Sequence, residues 1–256
     1  MELFYRKTGN GPHLLLLHGL FGMSDNWISL ARRYAENFTV WIPDMRNHGQ
    51  SPHVPGMSYP EMAEDIARFM ETHEIRRAGV IGHSMGGKTA ILLALAHPYL
   101  ISRLVIADIG LGATPGETTH LNIINSMTRI QPGRYSRRYD IQKELEKEGL
   151  PPDLLGLALK NLGRSPQGTY FWKPGLEEIR KGMNSLAGSL HPTGYFTQPV
   201  LLLKGENSNY VSTDEAEALL MFFPLLREEE IADAGHWLHA EQPDAFYHKT
   251  MEFLTS

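Results

Sequence analysis

The sequence predicts an α/β architecture, a doubly wound and mostly parallel sheet interrupted by one helical insertion. Three observations carry this. Over the first 110 residues, apolar runs of strand length alternate with amphipathic stretches of helical length. Between about Leu111 and Thr197 that rhythm stops, and helical periodicity is broken by Pro-Gly, Leu-Pro-Pro, Ser-Pro-Gln-Gly and Lys-Pro-Gly. It resumes in the run from Pro199 to Lys204. The expected organisation is a core made of residues 1–110 and 198–256, with residues 111–197 inserted as a helical cap.

Each element follows from local pattern. Leu14–His18, Thr39–Asp44, Gly79–Gly82 and Arg103–Asp108 are near-continuous apolar runs, as strands covered on both faces by helices must be. Between the second and third, Tyr59 to His73 sets Met62, Ile66, Phe69 and Met70 at helical spacing. Thr89 to His97 is Ala, Ile and Leu almost throughout and predicts a buried helix. Beyond the insertion come a strand at Val200–Lys204, a helix near Thr213–Phe223, a strand near Arg227–Ala232 and a last helix after Pro243. In such sheets functional groups gather at the carboxyl ends of strands. His18-Gly19, Asp44, Ser84 and Asp108 all fall there.

Composition narrows the function. A net charge of −5 disfavours a nucleic-acid partner, which needs concentrated basic surface. The amino terminus, Met1 to Lys7, lacks the apolar core of a signal peptide, and no apolar run approaches membrane-spanning length. The expectation is a soluble, cytoplasmic protein with no membrane partner. Zero cysteines exclude disulfides and thiolate catalysis. No His-x-x-x-His or comparable cluster points to a metal, and no other cofactor is expected.

Residues 82–89, Gly-His-Ser-Met-Gly-Gly-Lys-Thr, satisfy two motifs at once. As G-x-S-x-G they form a nucleophile elbow around Ser84. As G-x-x-x-x-G-K-T they form a phosphate-cradling loop, with Lys88 on phosphate, Thr89 on magnesium and Asp108 as a second magnesium ligand. Both require a strand before and a helix after, so distant segments must decide. His18-Gly-Leu-Phe-Gly22 follows a strand where a hydrolase needs mobile backbone to aim an amide at an oxyanion. Gly235-His236-Trp237 follows the last strand and supplies an imidazole in the order Ser, acid, His. Neither segment has work to do in phosphate binding, and the elbow is preferred.

Those two segments and the elbow, with Pro43 to Ser51 (Pro-Asp-Met-Arg-Asn-His-Gly-Gln-Ser) and Gly235 to Glu241, resemble the α/β-hydrolase superfamily. The Arg-Asn-His-Gly turn and the Gly-Gly-Lys-Thr extension are similar to the YbfF-type esterases within it. The resemblance spans both flanks of the sheet, is weak across the insertion, and implies hydrolysis of acyl esters or thioesters beneath a helical cap.

Ser84 is then the expected nucleophile, with the N–H groups of Leu20 and Met85 as oxyanion donors and Phe21 as an alternative donor. Of twelve histidines, His236 is the expected base by position. His239 is expected to pack, and His18, His83 and His48 to serve structural roles. The acid is the open member. Many relatives carry it in a Gly-x-x-Asp turn, where this chain reads Gly205-Glu-Asn-Ser208. Asp108 is the natural substitute, the resemblance implies the same position, and Glu206 and Asp214 are the fallbacks. Phe21, His83 and Trp172 are candidate substrate contacts. The insertion carries 11 Lys and Arg against 8 Asp and Glu. Among them Arg129, Arg134, Arg137 and Arg138 offer cations to a phosphate-bearing leaving group such as coenzyme A, or form a solvated face. Rival readings keep the fold with C–C hydrolase, lyase or perhydrolase chemistry, or a non-catalytic ligand receptor.

Overall fold

A computed structural model describes residues 1–256, Asp153 through its backbone alone. The chain runs through β1 (Tyr5–Thr8), β2 (His13–Leu17), α1 (Ile28–Tyr34), β3 (Thr39–Pro43), α2 (Tyr59–Thr72), β4 (Ala78–His83), α3 (Met85–Ala96) and β5 (Ile101–Ala107). The insertion follows, with α4 (Glu117–Arg129), α5 (Arg138–Lys147), α6 (Pro152–Lys160), β6 (Leu162–Arg164), β7 (Tyr170–Trp172) and α7 (Leu176–Ala187). The chain ends with β8 (Val200–Gly205), α8 (Thr213–Leu220), β9 (Leu226–Ile231), α9 (Leu238–Glu241) and α10 (Pro243–Thr255). The main sheet has the order β1-β3-β2-β4-β5-β8-β9, and only β1 is antiparallel to its neighbour.

The apolar runs are continuous because alternate residues bury in opposite directions. Leu15, Leu17, Val80, Leu104, Ile106, Val200 and Leu202 face one core, shared with α2, α3, α8 and the insertion. Leu14, Leu16, Val40, Ile42, Ile81, Val105, Leu201 and Leu203 face the other, shared with α1 and α10. Among the described residues no helix is long and apolar enough to cross a membrane.

Several elements differ from the sequence reading, which named neither α1 nor α9. The edge strand β1 went unseen because Tyr-Arg-Lys-Thr is half-exposed and its pairing with β3 is all that makes it a strand. The insertion holds a two-stranded ribbon, β6 with β7, whose three-residue strands flank the Ser-Pro-Gln-Gly turn and are too short for a period to be read from the sequence. And α3 begins at Met85, a turn before Thr89. Glycines on either side of the turn, Gly82 in β4 and Gly86 in α3, permit this. A Cβ on Gly82 would overlap the carbonyl oxygen of Gly86, and one on Gly86 would overlap that of Leu17.

Lys88 joins core to insertion. Its side chain is fully buried, and Nζ donates to the carbonyls of Gly112 at 2.6 Å and Gly188 at 2.9 Å, near the two ends of the insertion. Burial pushes the ammonium down to about 8, partly countered by Glu215. The Thr89 hydroxyl donates to the Met85 carbonyl at 2.9 Å. The two side chains that a phosphate loop would use are thus committed to backbone inside the protein. Lys88→Met strands two buried carbonyls, and urea denaturation is expected to show a loss of about 2–4 kcal/mol; an unchanged midpoint would contradict the anchoring role.

Candidate active site

The site sits at the carboxyl edge of the sheet, built by three turns whose backbones are bent to fit. Ser84 links β4 to α3 at φ 53°, ψ −117°, a conformation costly for a non-glycine residue. Its N–H donates to the Ala107 carbonyl at 3.1 Å and its carbonyl accepts from Lys88 N at 3.0 Å, which over-determines the turn. Ser84 borders a cavity of about 130 Å³ together with Gly19, Leu20, His120, Tyr210 and His236. Neither the Leu20 nor the Met85 N–H donates a hydrogen bond among the described residues, although both residues lie beside Ser84.

Asp108, just past β5, is fully buried and also at positive φ, 53°. Its carboxylate receives three donors. Gly205 N reaches Oδ1 at 3.0 Å, while the Ser208 hydroxyl and His236 Nδ1, the latter at 2.7 Å, both reach Oδ2. With Nδ1 carrying the proton toward Asp108, the neutral imidazole has its lone pair on Nε2. No hydrogen bond joins the Ser84 hydroxyl to this ring in the present state. The ring of Tyr210 stacks on the imidazole at 3.4 Å between centroids and 13° between planes. Glu241 fixes the loop that carries His236 by accepting from Gly235 N at 2.6 Å and Trp237 N at 3.2 Å.

The other histidines are spent on architecture. Met45 N donates to His18 Nε2 at 2.9 Å, so the His18 proton sits on Nδ1 and donates to the Gly19 carbonyl at 2.8 Å. That bond shapes the turn bearing the Leu20 amide. His83 Nε2 donates to the backbone carbonyl of His236 at 2.7 Å. His48 Nδ1 binds the Arg46 carbonyl at 2.9 Å. His239 stacks on Trp27, centroids 4.5 Å apart. Asp44 orders its own turn by accepting from Gln50 N, and ties it to the loop after β2 by accepting from Ser24 N.

The structure brings Ser84, Asp108, His236, Leu20, Met85 and His83 to one place. It does not bring Trp172 there. The indole Nε1 donates to the carbonyls of Met127 at 2.8 Å and Ile130 at 3.2 Å, and the ring ties α4 to β7 rather than bordering the cavity. Phe21 is buried beside His120, and its carbonyl accepts from Asn161 at 2.8 Å. It braces the insertion from below and does not border the cavity. Glu206 accepts from Asp233 N in an exposed turn, and Asp214 lies exposed in the first turn of α8. Sequence reasoning missed Ser208, Tyr210 and His120. Ser208 had a signal, since it occupies the place of the expected acid; the other two are set by packing between distant segments.

His18 and His48 are pushed down to about 4 and 3, His239 to about 3 and His83 well below 6.5, in every case first by burial. The folded chain keeps these rings neutral where the unfolded chain protonates them, so acid favours unfolding. Their contribution is whole above pH 6.5 and is lost as pH falls toward 4, each ring adding a slope of up to about 1.4 kcal/mol per pH unit. Urea midpoints measured across that range are expected to drop steeply; a flat profile would contradict the neutral rings.

Comparison with known proteins gives the family. A family model for the alpha/beta hydrolase fold matches residues 12–154. The chain is 34% identical to the sn-1-specific diacylglycerol lipase ABHD11 of Xenopus tropicalis, over 98% of this chain and 81% of that protein. It is 32% identical to esterase YbfF of Escherichia coli, over 96% of this chain and 94% of that one. A solved marine microorganism esterase superposes with a TM-score of 0.93 at 39% identity, covering 98% of this chain and 99% of the other. With the family model spanning more than half of its length and relatives above 30% identity along nearly all of it, this chain belongs to the α/β-hydrolase family.

Proposed function

We propose that this protein hydrolyses carboxylic esters through an acyl-enzyme on Ser84, with His236 as base and then acid and Asp108 as the carboxylate that orients it. One observation carries the reading. His236 Nδ1 lies 2.7 Å from the buried Asp108 carboxylate, in the wall of the cavity that Ser84 also borders. With the ring proton held on Nδ1, Nε2 is free to take the Ser84 proton as the hydroxyl oxygen attacks the ester carbon. The carbonyl oxygen gains charge, and the Leu20 and Met85 amides stabilise it. The C–O bond to the alcohol then breaks, and the leaving oxygen takes the proton from Nε2. Water repeats the sequence on the acyl-enzyme, releasing the acid and restoring Ser84.

Ser208 acts through Asp108. A hydroxyl donor on Oδ2 stabilises the ionised carboxylate, which in turn stabilises the imidazolium formed during attack. Residues 111–197 act as a cap that excludes water, with His120, Leu154 and Leu157 bordering the cavity. The same steps cleave a thioester. A phosphate-bearing carrier finds little help here, however. Arg129 pairs with Glu148, Arg137 with Asp140, and Arg138 donates to the Leu159 carbonyl. None of these, nor Arg134, borders the cavity.

The test is steady-state hydrolysis of p-nitrophenyl acetate. Ser84→Ala is expected to lose at least about 10⁴-fold in kcat, and Asp108→Asn roughly 10³–10⁴-fold because the ring loses its tautomer. Ser208→Ala, which removes one charge-assisted bond, is expected to cost about 10-fold. Glu206→Gln and Asp214→Asn should stay within about 2-fold of the parent. Full activity in Ser84→Ala would end the reading, and a large loss at Glu206 or Asp214 would move the acid.

A further inference from the structure

The space around Ser84 divides into two arms, and the chemistry assigns their occupants. One arm, about 130 Å³, is bordered by His236, Tyr210 and Trp237. Through Leu154, Leu157 and Trp237 it shares walls with an open groove of about 560 Å³ that reaches Asp25, Asn26 and Lys160. The other encloses only about 20 Å³ among Tyr59, Met85, Thr114, Met183, Leu186 and Ala187. Ser84, Leu20 and His120 border both, so the reacting carbon sits at the junction.

Accepting Ser84 as nucleophile and His236 as the proton carrier, the orientation of an ester is forced. The alcohol oxygen must depart with a proton from His236 Nε2, so the alcohol lies in the arm that His236 borders. The acyl chain is left with the arm that His236 does not border. We infer that this enzyme is selective for short acyl groups, acetyl to butyryl, carried on a bulky and largely apolar alcohol, with Met183, Leu186 and Tyr59 as the residues that limit acyl length. The alcohol arm can accept bulk because it leads to solvent past leucines and an indole.

The narrow arm is also held narrow. Helix carbonyls in the last turn lack partners within the helix, and at the end of α7 other elements supply them. Leu186 O accepts from the Tyr59 hydroxyl at 2.8 Å and from Thr114 Oγ1 at 3.3 Å. Ala187 O accepts from Thr114 N at 2.8 Å, and Gly188 O from Lys88 at 2.9 Å. Three consecutive carbonyls thus pin the wall that carries Met183 and Leu186 to α2, to α3 and to the start of the insertion. A longer chain cannot push that wall aside without breaking several of these bonds together.

The experiment measures kcat/KM for p-nitrophenyl esters from acetyl to dodecanoyl, and for acetates of progressively larger alcohols. The wild type is expected to lose at least 10-fold between butyryl and octanoyl while tolerating naphthyl acetate. Met183→Ala should raise the octanoyl-to-acetyl ratio at least 10-fold, and the milder Leu186→Val should raise it in the same direction should the first variant fold poorly. Leu157→Ala, in the other arm, should alter discrimination between alcohols instead. A wild-type preference for octanoyl or longer esters would overturn the inference, as would an acyl-length shift produced by Leu157→Ala and absent from both Met183→Ala and Leu186→Val. Labelling by a small fluorophosphonate separates the two levels. Labelled protein with the wrong chain-length profile refutes only the arms, and protein that is neither labelled nor active on any ester refutes the hydrolase reading beneath them.

Discussion

A carboxylate with no exposure to solvent organises this end of the molecule. Burying Asp108 as an ion is costly unless every lone pair that can be used finds a donor. The donors come from Gly205 at the end of β8, Ser208 in the turn beyond it, and His236 after β9. Satisfying one ion therefore fixes three turns against each other. The order β4-β5-β8-β9 makes this reachable, since parallel neighbours release their carboxyl ends side by side. The fold's topology and the electrostatic need of one side chain meet at that edge.

Around this ion the protein spends several imidazoles as neutral hydrogen-bonding parts. His18 shapes the turn that bears the Leu20 amide, and His83 holds the backbone of His236. Burial keeps both uncharged, so under the proposed mechanism the His236 imidazole has neighbours that do not compete for its proton. Tyr210 adds a flat surface against His236 and limits its tilt. Each constraint is small on its own. Together they hold one ring with Nδ1 toward Asp108 in a cavity that residues 116–157 help to line.

How much of this was legible in the sequence depended on whether backbone or side-chain packing set the feature. Ser84 was legible because its strained turn requires glycine on both sides, and glycine at those spacings is visible as letters. His236 was legible from its place after the last strand. Ser208 was visible only as a departure, a serine where an acid was expected. Its hydroxyl donates to Asp108, the carboxylate at the end of the neighbouring strand. Lys88 matched a phosphate motif in letters, but the motif is silent about the two carbonyls that occupy it. Trp172 was visible as an aromatic in the insertion; which way it faced depended on carbonyls of Met127 and Ile130 more than forty residues earlier. β1 and the β6–β7 ribbon escaped notice because strands of three or four residues are too short to show a period, although Tyr5, Leu162, Tyr170 and Trp172 pack against the core.

The central claim is that Asp108, and no carboxylate after β8, holds the imidazole of His236. Proton NMR on protein carrying nitrogen-15 histidine reads that bond directly, since an Nδ1–H held by a buried carboxylate resonates far downfield and exchanges slowly with water. One such signal, assigned to His236, is expected in the parent protein and in Glu206→Gln, and should vanish in Asp108→Ala. Persistence of the signal in Asp108→Ala, or its loss in Glu206→Gln, would contradict the account.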